Sequence, residues 1–160
     1  MAACTGCRKS EVLKLQWKNV DFERNNIYIT NTKTGKNRFV PISQHLKAVL
    51  LDIKKNTKNT EYVFCDKEGK PLGRIETAWR AACRRAGIKD FRFHDLRHHY
   101  ACTMVSDGLD FISLKQLLGH SSTEMLERYA NFVPDKNKKA IDILNTQTAN
   151  IWRIPKNDKG

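Results

Sequence analysis

Apolar residues fall in short runs whose spacing switches from helical to alternating and back to helical along the chain. Val12, Leu13 and Leu15 lie on or near one helical stripe, which predicts a short helix over residues 10–17. Residues 21–26 read as a polar turn. Ile27-Tyr28-Ile29-Thr30 and Arg38-Phe39-Val40-Pro41-Ile42 are strand-like, and Lys33-Thr34-Gly35-Lys36 between them reads as a hairpin tip. Leu46, Val49, Leu50 and Ile53 return at helical spacing and predict a helix over residues 43–55. Tyr62-Val63-Phe64 reads as a short strand ended by the turn-rich residues 66–71.

From residue 75 onward the pattern is helical. A helix over residues 75–86 stops at Gly87, one over 94–106 stops before Gly108, and one over 110–118 stops at Gly119. Ser121-x-x-Glu124 is a capping-box pattern that opens a helix through about Asn131, and Pro134 starts another running to Leu144. The remaining tail is polar except for Ile151, Trp152 and Ile154. No repeat or linker divides the chain. The expected fold is α+β, a mainly helical domain over residues 1–145 with a small antiparallel β-sheet, followed by a tail over 146–160.

Charge changes this picture more than size does. The 160 residues carry a formal charge of +12, with a pI near 9.7. Lys and Arg are spread along the whole chain, which favours a folded basic face over a disordered basic arm and points to nucleic acid as partner. No stretch approaches a membrane span, and the N-terminus lacks a basic region followed by an apolar run, so a cytosolic protein without a membrane partner is expected.

The five cysteines (Cys4, Cys7, Cys65, Cys83 and Cys102) are odd in number and irregular in spacing. Cys4-x-x-Cys7 has the spacing of half a zinc site, but no second pair follows, and reduced thiols in a reducing compartment are the expectation. Cys83 and Cys102 sit in apolar helical stretches as small core residues. No metal and no cofactor are expected.

The chemistry gathers in the last third of the chain, in His94-Asp95-Leu96-Arg97 and in Leu118-Gly119-His120, with Tyr129 nine residues later. His94 and Arg97 lie three apart on one helical face, at a helix start where free amides also favour an anion. A planar guanidinium can grip two phosphate oxygens, and imidazoles can move protons near neutral pH. A tyrosine can carry a covalent intermediate. His98 could pair with His94 as a two-histidine metal clip, but no third ligand lies near and Arg97 would repel the ion.

Nine residues of unbroken helix would put Tyr129 opposite His120 and roughly 13 Å along the axis. The Gly119-His120-Ser121-Ser122 break lets the next helix start in a new direction; the alternative is that the phenol serves a neighbouring subunit. Tyr28, Tyr62 and Tyr100 compete for the role, and packing is the better reading of each. Asp and Glu are scattered, without the close carboxylates that would hold Mg²⁺ in a hydrolytic nuclease, and Glu11 and Asp95 read as buttresses of the arginine-bearing segments.

Taken together, these motifs resemble the catalytic domain of the tyrosine recombinases, the phage integrase family. The matching residues are Thr5-Gly6-Cys7-Arg8-Lys9-Ser10-Glu11, Thr32-Lys33-Thr34-Gly35 leading to Val40-Pro41-Ile42, His94-Asp95-Leu96-Arg97-His98, Leu118-Gly119-His120-Ser121 and Arg128-Tyr129. The resemblance implies six roles. Arg8 and Arg97 would clamp the scissile phosphate. Lys33 would be the general acid for the leaving 5′ hydroxyl, and His94 the proton-handling residue. His120 would add a phosphate donor, and Tyr129 would be the nucleophile forming a 3′-phosphotyrosine. An ordinary phenol has a pKa of about 10, so it needs neighbouring cations or a base, and the surrounding residues offer both.

The implied partner is double-stranded DNA at a recombination site, bound by a self-associated chain, as a tetramer, in the cytoplasm at the nucleoid. Neither metal nor ATP would be needed. Lys36, Arg74, Arg80, Arg84 and Arg85 are candidates for backbone contact. Family members usually carry an N-terminal core-binding domain; only seven residues precede Arg8 here, so the chain reads as the catalytic domain by itself. Ile151-Trp152-Arg153-Ile154 would pack on an adjacent protomer. The alternatives are a type IB topoisomerase-like nicking and resealing enzyme and a catalytically inactive DNA-binding relic.

Overall fold

Helix formation begins before the first predicted helix. A turn of helix α1 (Ala2–Thr5) ends at Gly6, whose φ of 63° is left-handed. A Cβ there would stand 2.6 Å from both Leu118 Cδ2 and Tyr100 Cδ1, so only glycine permits this close approach. The structure is a computed structural model and describes residues 1–30, 35, 37–57, 60–120, 122, 124–132, 141 and 144–146.

Helix α2 (Lys9–Leu13) stops four residues short of the predicted end. The reason is a competing backbone partner. Leu15 O accepts from Val63 N at 2.9 Å and Trp17 N donates to Glu61 O at 3.0 Å, so residues 15–17 run extended beside 61–63. The same pairing corrects the predicted strand at Tyr62-Val63-Phe64, which is reduced to an isolated bridge between Tyr62 and Gln16.

Strands β1 (Val20–Asp21), β2 (Asn26–Ile29) and β3 (Arg38–Pro41) form an antiparallel sheet in that order. The first of them falls partly in the expected polar turn. Ile27 lies opposite Val40 and Tyr28 opposite Phe39. Alternation therefore buries Ile27, Ile29 and Val40 on one face, while Phe39 is exposed and stacks on Tyr28 with ring centroids 4.8 Å apart. Helix α3 (Gln44–Asn56) is capped by Ser43 Oγ, which accepts from Leu46 N. Its stripe is Leu46, Leu50 and partly Ile53; Val49, expected on that stripe, is 40% exposed at its margin. These elements enclose a first core with Val12, Leu15, Ile42 and Val63.

The second half is helical as expected, in α4 (Glu76–Arg85), α5 (Asp95–Ser106) and α6 (Phe111–Leu118). Asp110 caps α6 through two backbone amides, and Gly119 ends it in the left-handed conformation. The predicted helix through Asn131 is shorter: α7 (Glu124–Glu127) gives way to a turn and a 3₁₀ segment, Ala130–Phe132. Tyr129 N donates to Leu126 O, and the i→i+3 spacing puts both buried side chains on one side. They join a second core of Tyr100, Ala101, Val105, Leu114 and Leu118. Cys83 is buried, Cys102 packs partly against this core, and all five cysteines carry free thiols. Lys33, Lys36, most of the helix expected after Pro134 and Ile151-Trp152-Arg153-Ile154 lie outside the described residues.

Candidate active site

The C-terminal end of α6 organises the cationic residues. A helix leaves its last carbonyls without intrahelical partners and carries partial negative charge there. Arg38 Nε donates to Leu117 O at 2.7 Å, Arg97 to Leu118 O at 2.8 Å and Arg8 to Gly119 O at 3.3 Å. Three guanidinium groups from β3, α5 and the start of α2 thus converge on three successive carbonyls. Arg97 also donates to Gly6 O at 2.7 Å, which ties α5 to the turn before Arg8.

Three cations in one place repel, and Glu11 is their counterweight. Its carboxylate accepts from the Arg8 amide at 2.8 Å, from the Arg8 guanidinium at 3.0 Å and from both terminal nitrogens of Arg38, at 3.0 and 2.8 Å. Burial pushes its pKa up, but the hydrogen bonds and charges of Arg38 and Arg8 win and hold it below the usual carboxylate range. The expected buttress is present. Asp95 instead pairs with Arg92, through its backbone amide and its guanidinium, just ahead of α5.

Arg97 is 3% exposed. Burial, and then neighbouring Arg8, pulls its pKa down to about 10, which leaves it charged at neutral pH. His120 follows Gly119 and is also buried. Burial, then Arg97 and Arg8, holds its imidazole down at about 4, so the ring is neutral. Its Nδ1 is buried without a hydrogen-bond partner among the described residues. Such an atom beside two arginines is suited to an anionic oxygen carrying a hydrogen, or to one reached after the proton moves to Nδ1.

Tyr129 lies in the turn after α7, 3% exposed, with its hydroxyl 2.9 Å from His98 Nδ1 of the same chain. The break after Gly119 therefore redirects the chain toward α5. Burial raises the phenol's pKa against the opposing charges of Arg128 and Arg97. Its surroundings hold both kinds of group named from the sequence, the cations Arg128 and Arg97 and a hydrogen-bonded imidazole, with burial outweighing the cations in the resting phenol. His94 is exposed at the N-terminal edge of α5, its ring edge-on to His98 at 5.1 Å. It borders a cleft of about 420 Å³ with Lys9, Trp79 and Phe93.

Arg8, Arg97 and His120 are brought together, and His94 and Tyr129 meet at His98. Lys33 and Lys36 belong to the undescribed part of the β2–β3 connection. Arg74, Arg80, Arg84 and Arg85 are exposed, and Arg80 and Arg84 border a groove of about 620 Å³ with Lys89 and Arg92. Among the described residues no group of three His, Cys, Asp or Glu converges as metal ligands.

Sequence reasoning missed two residues. Arg38 looked like an ordinary strand position; a charged residue opening a strand on its buried side was the signal. His98 was weighed only as a metal clip, although its place one turn after His94 put it on the same face.

Comparison with known proteins identifies the family and the fold. The phage integrase family pattern matches residues 1–135. The integrase of Salmonella phage P22 is 34% identical over 94% of this chain, which spans 43% of that relative's length. The solved catalytic domain of bacteriophage HP1 integrase is 33% identical, with a TM-score of 0.69 over 88% of this chain and 76% of that one. XerH site-specific recombinase, solved bound to its difH substrate before cleavage, is 25% identical with a TM-score of 0.72, covering 89% of this chain and 44% of that one. Because the family pattern runs through most of its 160 residues, the chain belongs to the phage integrase family.

Proposed function

We propose that this chain is the DNA-cleaving and rejoining domain of a site-specific recombinase acting through a 3′-phosphotyrosine. The observation that carries the reading is the gathering of Arg8, Arg97 and His120 at the end of α6, with the Tyr129 hydroxyl presented from the next turn of the same chain.

A phosphate entering beside these groups meets two guanidinium groups whose orientation is already set by carbonyls and by Glu11. The ties to Gly6 and Leu118 use two of the five N–H donors of Arg97, leaving others to address phosphate oxygens. Preset donors are worth most where charge grows in the transition state. Tyr129 gives its proton to a neighbouring imidazole as its oxygen attacks phosphorus, the bond to O5′ breaks, and Lys33 supplies the proton that O5′ takes. Attack by a 5′ hydroxyl on the tyrosyl ester reverses these steps and reseals the strand. Because the ester conserves the phosphodiester bond energy, rejoining to a different strand requires no ATP, and the two arginines supply the charge neutralisation that a metal would otherwise provide.

The surplus of positive charge supplies affinity for the duplex, with Arg74, Arg80, Arg84 and Arg85 as phosphate contacts. Site specificity, assembly as a tetramer on DNA, the role of the tail over 146–160 in that assembly and residence at the nucleoid complete the reading.

The test is a duplex nicked beside the scissile phosphate, which traps the covalent adduct. Wild type gives an adduct on the 3′ end of the broken strand, leaving a free 5′ hydroxyl on the other fragment, and Tyr129→Phe gives none while binding DNA equally. An adduct surviving in Tyr129→Phe, or binding without any adduct in wild type, overturns the proposal. Resealing without exchange between duplexes would mark a nicking and resealing enzyme.

A further inference from the structure

Tyr129 is held by packing on all but its polar tip. Its ring belongs to the core of Tyr100, Ala101, Leu114 and Leu126, and its hydroxyl meets His98 Nδ1 at 2.9 Å, with ring centroids 6.0 Å apart. We propose that His98 positions the Tyr129 phenol and accepts its proton as the phenolic oxygen attacks phosphorus. This rests on the reading of Tyr129 as nucleophile and adds to it the residue on the nucleophile's side of the reaction.

The geometry supplies three arguments. The first is reach, since 2.9 Å is a direct hydrogen-bond distance, whereas no hydrogen bond joins His94 to Tyr129 among the described residues. The second is orientation. His98 projects from α5 one turn beyond His94 and directly after Arg97, so one helix carries both the phosphate-facing guanidinium and the partner of the nucleophile. The hydroxyl and the phosphate site are thereby fixed relative to each other.

The third is protonation. A proton acceptor has to be neutral before the step, with its own hydrogen on Nε2 when Nδ1 accepts. The groups facing His98 are His94, Asp95, Arg92 and Arg97 from α5 and its lead-in, and Arg128 and Tyr129 from beyond α7. Burial and then the cations, Arg128 foremost, keep the ring below its ordinary value against the pull of Asp95, so the neutral form prevails at pH 7.

In the step itself, the phenolic proton passes to His98 Nδ1 and the oxygen lone pair forms the bond to phosphorus. The P–O5′ bond breaks, and O5′ takes a proton from Lys33. On rejoining, the 5′ hydroxyl gives its proton back to the Lys33 amine, and His98 returns the first one to the departing Tyr129 oxygen. No oxidant, metal or further reactant enters.

The experiment measures single-turnover adduct formation on the nicked duplex between pH 5.5 and 9. Wild type, His98→Asn, His98→Phe, Lys33→Ala and Tyr129→Phe are compared in the full 160-residue chain. His98→Asn offers the hydroxyl a polar partner that cannot take up the proton; His98→Phe keeps only the ring. Both are expected to bind DNA as wild type does and to slow adduct formation about a hundredfold or more. The acid limb of the wild-type rate profile, where His98 becomes protonated, should vanish in both. A duplex whose leaving oxygen is replaced by sulfur needs no general acid, so it should restore Lys33→Ala and leave the His98 variants slow.

Unchanged rate and pH profile in both His98 variants, with Tyr129→Phe still silent, would overturn this inference and leave the proposed function standing. An adduct in Tyr129→Phe would overturn the proposed function itself. A DNA-free measurement guards against variants that fail to fold. The nitrogen resonances of His98 in wild type should show Nδ1 unprotonated and accepting, and should shift in Tyr129→Phe. A hydrogen resident on Nδ1 would overturn the inference.

Discussion

Replacing Glu11 by Gln removes the carboxylate that balances three guanidinium groups while keeping the side chain's shape. The Glu11 and Arg38 side chains are only 5% and 7% exposed, so solvent screens the pair weakly. With charge centres roughly 4 Å apart and an effective dielectric near 20, each of the Arg38 and Arg8 pairings contributes about 4 kcal/mol before desolvation. Desolvation offsets a large part, and removing one member of a buried pair typically costs about 3–5 kcal/mol. The amide of the new Gln would also point a donor at donors. In a chain of this length that loss lowers the melting midpoint by roughly 10 °C.

The measurement is thermal and urea unfolding of both proteins at pH 7 and again down to pH 3. Because the folded pKa of Glu11 is depressed, its contribution is complete above the unfolded value of about 4.3 and is lost as pH falls through the lower folded value. The gap between wild type and variant should therefore close in acid. The double variant Glu11→Leu/Arg38→Met should lose less than the two single changes added together, since no buried charge of that pair is left alone. A Glu11→Gln variant within about 1 kcal/mol of wild type at pH 7, an error-sized difference on this scale, would refute the reasoning.

Three further outcomes follow from other parts of the site. Gly6→Ala combines a left-handed φ with a Cβ 2.6 Å from Leu118 and Tyr100, and urea unfolding should show a loss of about 2–4 kcal/mol; a smaller change would mean that α1 moves away easily. His120 is depressed to about 4, so its stabilising contribution is present above pH 6.5 and is lost as pH falls toward 4. Relative to wild type, His120→Gln should flatten the stability profile in that window by about 3 kcal/mol, and parallel profiles would contradict the assigned environment. Arg97→Lys cannot reach Gly6 O and Leu118 O together, so unfolding should show a loss of about 1–3 kcal/mol. Its adduct yield on the nicked duplex should fall sharply, and near-normal yield would remove Arg97 from the clamp.

Much of this was written in local pattern. Helical spacing and the glycine stops placed α3, α4, α5 and α6, and Ser43 and Asp110 prove to cap two of them, because such signals act within one or two turns. The motifs around Arg8, His94, Arg97, His120 and Tyr129 marked the candidate groups from the sequence alone. Only tertiary structure decided how they are used. Helix α2 stops at Leu13 because residues 61–63, far along the chain, offer Leu15 and Trp17 a better backbone partner. Arg38 becomes part of the cationic cluster because the sheet aims it at the end of α6, and no local spacing encodes that meeting. Tyr129 is raised and not lowered in pKa because burial outweighs the charges of Arg128 and Arg97, a balance set by depth. Its hydroxyl finds His98 across 31 positions of chain because the turn after α7 packs against α5. Residue identity sets which chemistry is available, and long-range packing sets the distances and desolvation that decide which group carries each proton and charge.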